Sequence, residues 1–178
     1  GEPYRFGNIT FTGNTVYSSK KLSRQLGIKE NDIFDQSVLD SRLFSDGSGN
    51  MNVSSLYLDD GYLFFNATPV EIAANDKKID LEIRIFEGQQ ARINKIKVKG
   101  NTKTNDHVIM RELRTRPGDL FSQTDIQRSM RELSQMQYFN PEAFDVKVEP
   151  DQARNSVDIT YIVEEKSSDQ IQLQGGWG

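Results

Sequence analysis

Two stretches of this chain repeat one another, and that constrains the fold more than any composition figure. Arg5-Phe6-Gly7-Asn8-Ile9-Thr10-Phe11-Thr12-Gly13-Asn14-Thr15 aligns with Arg92-Ile93-Asn94-Lys95-Ile96-Lys97-Val98-Lys99-Gly100-Asn101-Thr102, 87 positions later. The apolar positions coincide: Phe6 with Ile93, Ile9 with Ile96 and Phe11 with Val98. The same offset pairs Leu26 with Leu113, Ile33-Phe34 with Leu120-Phe121, and Leu39 with Ile126. Further on the offset falls to 76 at Tyr62 and Tyr138, and to 78 at Ile79-Asp80-Leu81 and Val157-Asp158-Ile159. The first copy therefore carries about eleven extra residues around 44–54. Internal self-similarity of this kind marks one small unit used twice. Each unit has under ninety residues and buries only a modest core.

Each copy reads strand, helix, helix, strand, strand. In the second, residues 93–99 alternate apolar and basic, as in a strand with one solvated face. Gly100-Asn101 is the turn, because both residue types tolerate positive φ. Asn105 or Asp106 caps a helix expected to run to about Arg114, which Pro117-Gly118 breaks. Ile126, Met130, Leu133 and Met136 then recur at helical spacing. Alternation returns at Phe144, Val146 and Val148, and again over residues 157–164. The first copy predicts a strand over 7–12 and a helix over 18–26. A second helix from 36 to 43 is expected to continue past the insert to 59, followed by strands over 62–72 and 78–86. Phe6, Ile9, Phe11, Ile96 and Val98 are expected to face the cores. The fold class is α+β: two tandem β-α-α-β-β domains, each a three-stranded mixed sheet covered by two helices. The domains are expected at 1–88, with the insert near 44–54, and at 89–166. Residues 167–178 are expected to be a linker and the start of a further strand.

Charge and residue content exclude several function classes. The net charge is −4, and residues 1–88 carry all of it, with nine Lys/Arg against thirteen Asp/Glu. This balance argues against a nucleic-acid partner, which requires clustered cations. Cysteine is absent, which removes thiolate zinc sites and cysteine nucleophiles, and any Ser-His-Asp centre would depend on His107, the single histidine. Asp46-Gly47-Ser48-Gly49-Asn50 places oxygens as a calcium loop does, but Met51 stands where Gly is needed and Tyr57 where Glu is needed. The loop reads as a solvated one. Asp59-Asp60 and Glu164-Glu165 are sequence neighbours whose side chains diverge, and they read as solvated faces. No polar constellation shared by the copies suggests an active site, so no enzyme activity and no cofactor are expected. Neither a basic nor an apolar leader stretch follows Gly1-Glu2-Pro3-Tyr4, and the chain reads as a piece of a longer protein.

The strand ending in Gly-Asn-Thr belongs to a larger set of signals. Gly118-Asp119-Leu120-Phe121-Ser122 and Asn31-Asp32-Ile33-Phe34-Asp35 follow the first helices, and Asp60-Gly61-Tyr62-Leu63 leads into the second strand of the first copy. The second copy departs from this with Gln137-Tyr138-Phe139, which lacks the Gly. Ile85-Phe86-Glu87-Gly88 closes the first copy. Together these resemble the POTRA (polypeptide-transport-associated) family. Val163-Glu164-Glu165-Lys166, followed by Gln170-Ile171-Gln172-Leu173-Gln174-Gly175-Gly176-Trp177-Gly178, resembles the last POTRA domain running into the first strand of an outer-membrane barrel.

The resemblance implies a scaffold on the periplasmic side of the Gram-negative outer membrane. It would bind unfolded outer-membrane proteins and accessory assembly lipoproteins, and pass clients to a C-terminal barrel. It also implies a strand order of first, third, second, which leaves the second strand with a free edge for β-augmentation. The candidate peptide-binding residues are then Leu63, Phe64, Phe65, Asn66, Ala67, Phe144, Asp145, Val146, Lys147 and Val148. Pro69 and Pro141 independently favour an edge, since proline cannot donate to a central ladder. Lys95, Lys97 and Lys99 form a stripe on one strand, readable as an ordinary solvated face or as a docking face for an acidic partner. Related alternatives are a POTRA module of a secretion transporter or autotransporter-assembly factor, and a POTRA adaptor without a barrel.

Overall fold

The computed structural model describes residues 1–44 and 51–167. Most of the 46–51 loop and the 170–178 tail singled out above lie outside the described residues. By contacts the chain divides into two units, with the boundary between Gln89 and Gln90.

The first unit runs β1 (Arg5–Thr12), α1 (Ser19–Leu26), α2 (Gln36–Leu43), α3 (Val53–Leu58), β2 (Asn66–Asn75) and β3 (Lys78–Phe86). The second runs β4 (Arg92–Lys99), α4 (Asp106–Met110), α5 (Gln123–Gln135), β5 (Asp145–Asp151) and β6 (Ser156–Ile162). The sheets order β1-β3-β2 and β4-β6-β5, so the last strand of each unit is central. It pairs parallel with the first strand and antiparallel with the second. Both sheets are mixed, as the α+β reading required.

The helices begin where the polar residues direct. Ser18, Asp35, Asn105 and Ser122 each accept a backbone N–H from their own first turn. The Ser37 hydroxyl and N–H, with the Val38 N–H, hold the Asp35 carboxyl below the ordinary carboxylate range. Two expectations fail here. The helix starting at Gln36 does not continue past the insert: it ends at Leu43, and a separate α3 begins after Asn52. Asn52 supplies a complete capping box with Ser55, and its amide also donates to the Phe44 carbonyl at 3.0 Å. Among its described residues the first unit therefore has three helices rather than two. In the second unit α4 stops at Met110 rather than near Arg114. The chain leaves the helix so that the Arg114 N–H can donate to the buried Ser129 hydroxyl at 2.7 Å. The next residue, Thr115, is buried against the Tyr161 hydroxyl at 3.0 Å.

The first core joins Phe6, Phe11, Leu22, Leu26, Leu39, Leu43, Tyr57, Leu81 and Ile83. In the second unit Ile93, Ile109, Leu113, Phe121, Ile126, Leu133, Phe139, Val157, Ile159 and Tyr161 are buried. Phe6 and Phe11 are buried as expected, whereas Ile9, Ile96 and Val98 are half-buried. Val98→Ala is accordingly expected to cost about 1–2 kcal/mol. Lys97→Ala, on the exposed face, should stay within about 0.5 kcal/mol. Equal thermal shifts for the two variants would mean that the strand faces are misassigned.

Candidate functional site

A sheet edge becomes a binding site through the backbone groups it leaves unpaired. Which groups those are follows from the central strands. In the second unit Val163 N–H donates to the Lys99 carbonyl at 2.9 Å, which turns the odd-numbered residues of β6 toward β4 and the even-numbered ones toward β5. Asp145, Lys147 and Glu149 pair with even-numbered β6 residues and bond inward. Val146, Val148 and Pro150 face odd-numbered ones, so their N–H and C=O positions point away from the sheet. In the first unit Arg5 N–H donates to the Lys77 carbonyl at 2.8 Å, and the same alternation follows. There Ala67, Pro69, Glu71 and, beyond a register shift, Ala74 of β2 point outward. Both strand prolines occupy outward positions, where the missing N–H costs the ladder nothing.

The outer edges of β1 and β4 are partly occupied. Asn31 and Phe34 donate to the carbonyls of Phe6 and Tyr4, and Asp32 accepts from Phe6. Gly118 and Phe121 donate to Ile93 and Ala91, and Asp119 accepts from Ile93. These are the family-like Asn-Asp-Ile-Phe and Gly-Asp-Leu-Phe steps, so their repetition has a structural cause: each covers the start of a sheet edge.

The candidate edge residues fall into two groups. Asn66 and Ala67 lie in β2, and Asp145, Val146, Lys147 and Val148 lie in β5. Leu63, Phe64 and Phe65 precede the strand. Turns over 61–65 hold them, and Phe65 stacks on the buried Tyr57 at 4.4 Å. Phe144 also precedes its strand and packs edge-on against Phe139 at 6.2 Å. In both places aromatic packing against the core competes with extension and wins. Pro141 opens a short 3-10 turn before the strand, and the proline within β5 is Pro150.

Lys95, Lys97 and Lys99 are all exposed on the sheet face away from the core. Lys95 shares a polar hollow with Glu149, Asp151, Asp158 and a second cation, Arg154, which pairs with Asp151 at 3.8 Å, so acidic groups outnumber cations around it. Lys97 and Lys147 instead flank the buried Thr160 from either side and form the positive centre of this face. Among the described residues no group of acidic or histidine side chains is arranged to hold a metal. His107 is exposed at the start of α4.

The copies do share one polar arrangement that the sequence reading missed. Glu87, almost fully buried, accepts the Thr15 N–H at 3.0 Å, the Thr15 hydroxyl at 2.6 Å, the Val16 N–H at 2.9 Å and the Tyr57 hydroxyl at 2.8 Å. Burial by itself would raise its pKa, but these bonds to the charged form outweigh burial and lower it. Burial and the Glu87 carboxylate together push the Tyr57 hydroxyl upward. Glu165 does the same work in the second unit, accepting the Lys103 and Thr104 N–H groups at 2.8 and 2.9 Å. Glu165 is therefore not a merely solvated residue. The carboxylates tie the end of each central strand to the loop after Gly13-Asn14-Thr15 or Gly100-Asn101-Thr102. Within those loops Asn14 and Asn101 donate to the carbonyls of Tyr17 and Thr104. The signal was present, since Glu87 and Glu165 stand 78 residues apart, the offset of the third strands.

The POTRA family, described as surface antigen variable number repeat, matches residues 4–88 and 91–166. Outer membrane protein assembly factor BamA of Nitratidesulfovibrio vulgaris is 30% identical over 175 residues, covering 94% of this chain and 21% of that protein. BamA of Neisseria meningitidis serogroup B is 26% identical over 179 residues, covering 99% of this chain and 22% of that protein. The chain thus spans about a fifth of the length of the curated relatives it matches. Among solved structures, the BamA POTRA3-5 crystal structure from Haemophilus influenzae superimposes with a TM-score of 0.73 at 19% identity, covering 93% of this chain and 63% of that one. BamA from Haemophilus ducreyi lacking POTRA domains 1-3 gives 0.69 at 18% identity, covering 93% of this chain and 30% of that one. At these identities the structural matches establish the fold alone. With both units matched from end to end, the chain belongs to the POTRA family, as two tandem domains homologous to the POTRA region of BamA.

Proposed function

We propose that this chain is the periplasmic, non-catalytic scaffold of an outer-membrane protein assembly factor. In this reading it takes up extended segments of unfolded outer-membrane proteins, or of accessory subunits, by adding them to the outer edges of its sheets. It hands clients to a barrel in the parent protein. The observation that carries the reading is the strand order, which leaves β2 and β5 at the sheet margins with outward backbone groups. The family relationship supports the assembly context. Lys97, Lys99 and Lys147 offer a face for an acidic accessory subunit, with Lys95 at its compensated end.

Backbone pairing depends little on side-chain identity, which suits clients whose common property is the capacity to become strands. Ordering a disordered segment offsets much of the gain, so the affinity is expected to be weak. Titrating the chain with an outer-membrane barrel-strand peptide, followed by amide NMR, tests this. Shifts should follow a sheet edge and survive shuffling that preserves apolar–polar alternation. Shifts confined to the helices, with both edge strands silent, would refute it.

A further inference from the structure

The two edges share four residues that the strand-addition reading leaves without a role, and the edges are not equally open. The first outward N–H of each edge strand is already taken by the side chain before it. Asn66 Oδ1 accepts the Ala67 N–H at 2.9 Å, and Asp145 Oδ1 accepts the Val146 N–H at 2.8 Å. The same arrangement thus occurs in both units, at the same place in the strand. Each edge also loses one donor to a proline, Pro69 in β2 and Pro150 in β5. Of the outward positions, Glu71 and Ala74 in β2 and Val148 in β5 carry an N–H that no side chain among the described residues caps. The outward carbonyls of both strands are retained.

These remaining donors differ in their surroundings. Glu71 and Ala74 lie on opposite sides of a register shift, where the ladder to β3 skips Ile72, so the open donors of β2 do not form one regular edge. A bulge bends the strand and ends regular pairing, a common means of protecting an edge. Val148 lies in the middle of β5, whose pairing with β6 runs without a shift from Asp145 to Asp151.

We propose that β5 is the receiving edge and β2 a protected one, and that Asp145 is a latch on the receiving edge. This deepens the strand-addition reading and rests on it. The occupant is an extended segment of another polypeptide whose first bonds form around Val148, where one donor and the flanking carbonyls are open. Pairing then spreads toward Val146 only when the Asp145 carboxylate swings off its N–H. Pro150 stops it from gaining a donor at the other end. The register of the incoming strand is therefore set by the edge itself, while its side chains remain free to vary.

The test uses the whole chain and a short peptide alternating valine with charged residues, read by amide NMR and hydrogen exchange. In the free chain the Val148 N–H should exchange with solvent faster than the Val146 N–H. Added peptide should protect Val148 and leave the Ala67, Glu71 and Ala74 amides unchanged. Asp145→Ala removes the latch and Pro150→Val restores a donor. Each should tighten binding about three- to tenfold, the worth of one modest hydrogen bond, and a misfolded chain does not produce such gains. Unchanged affinity in both variants, with Val148 still protected, would overturn the latch and leave strand addition standing. Equal protection of Glu71 and Val148 would overturn the division between the edges. Shifts on the helices alone would remove the strand-addition reading, and the latch with it.

Discussion

Glu87→Ala is expected to destabilise the first unit by about 2–4 kcal/mol, because it leaves the buried Tyr57 hydroxyl and two part-buried backbone donors without an acceptor. Thr15 and Val16 lose the partner of their N–H groups, and the fully buried Tyr57 loses the partner of its hydroxyl. Glu87→Gln keeps the shape and part of the bonding, so about half of that loss is expected. Urea denaturation followed by far-ultraviolet circular dichroism measures both. A change below about 1 kcal/mol in the alanine variant would mean that water replaces the carboxylate without penalty. The effect also has a pH signature. The folded pKa of Glu87 is lowered, so its contribution is fully present above the ordinary glutamate pKa. That contribution is lost as pH falls below the ordinary value and through the lowered one. The gap between wild type and Glu87→Gln should therefore narrow in acid. Glu165→Ala should cost less, since that carboxylate is more exposed and two backbone bonds are at stake.

The second large effect is expected at the glycines that open the two tied loops. Gly100 has φ of +94°, and a Cβ there would sit 1.8 Å from the Val163 carbonyl oxygen. Gly13 repeats this at φ +83°, with 2.1 Å to the Ile85 carbonyl oxygen. The obstacle is backbone of the central strand, so no side-chain rotation relieves it. Gly100→Ala or Gly13→Ala should cost about 3–5 kcal/mol, combining the unfavourable φ with displacement of the strand end. Gly118 supplies the control: its φ is +93°, but nothing lies within 4 Å of its Cβ position. Gly118→Ala should lose only about 1 kcal/mol. Thermal melts of the three variants decide this. Equal losses at all three positions would mean that φ alone matters and that the close approach to the carbonyls relaxes.

These two effects explain why Gly-Asn-Thr recurs with a distant Glu. The first strand ends beside the third, the chain must turn where a side chain would strike a carbonyl, and the turn's N–H groups then face a carboxylate from the third strand. The sequence displays the glycine and asparagine as an adjacent pair, which turn chemistry interprets at once. Glu87 is separated from Thr15 by most of the unit, so its link to that loop appears only when the strands are paired. A local reading placed Glu165 on a solvated face for the same reason.

The edge strands show the same division. Alternation and the resemblance together led to free second strands, and Pro69 gave an independent reason for one of them. The start of β2 was misplaced because Tyr62, Phe64 and Phe65 look like strand residues, whereas packing on Tyr57 holds that segment in turns. Side-chain alternation also says nothing about hydrogen-bond direction. Lys147 points its side chain to solvent while its N–H faces β6, and Val148 does the reverse. A proline meant to block an incoming strand therefore belongs at Val148, whereas at Lys147 it would break the sheet.

The sequence alone determined that two related units exist, the order of their elements and nearly every helix start, because periodicity and capping are local and repeat with the duplication. Helix ends, the division between α2 and α3, the Glu87 and Glu165 ties and the outward direction of each edge amide were decided by tertiary structure. Each of these depends on which backbone group meets which partner across the sheet or the core. That meeting is set by strand register, and register exists only once distant segments have paired.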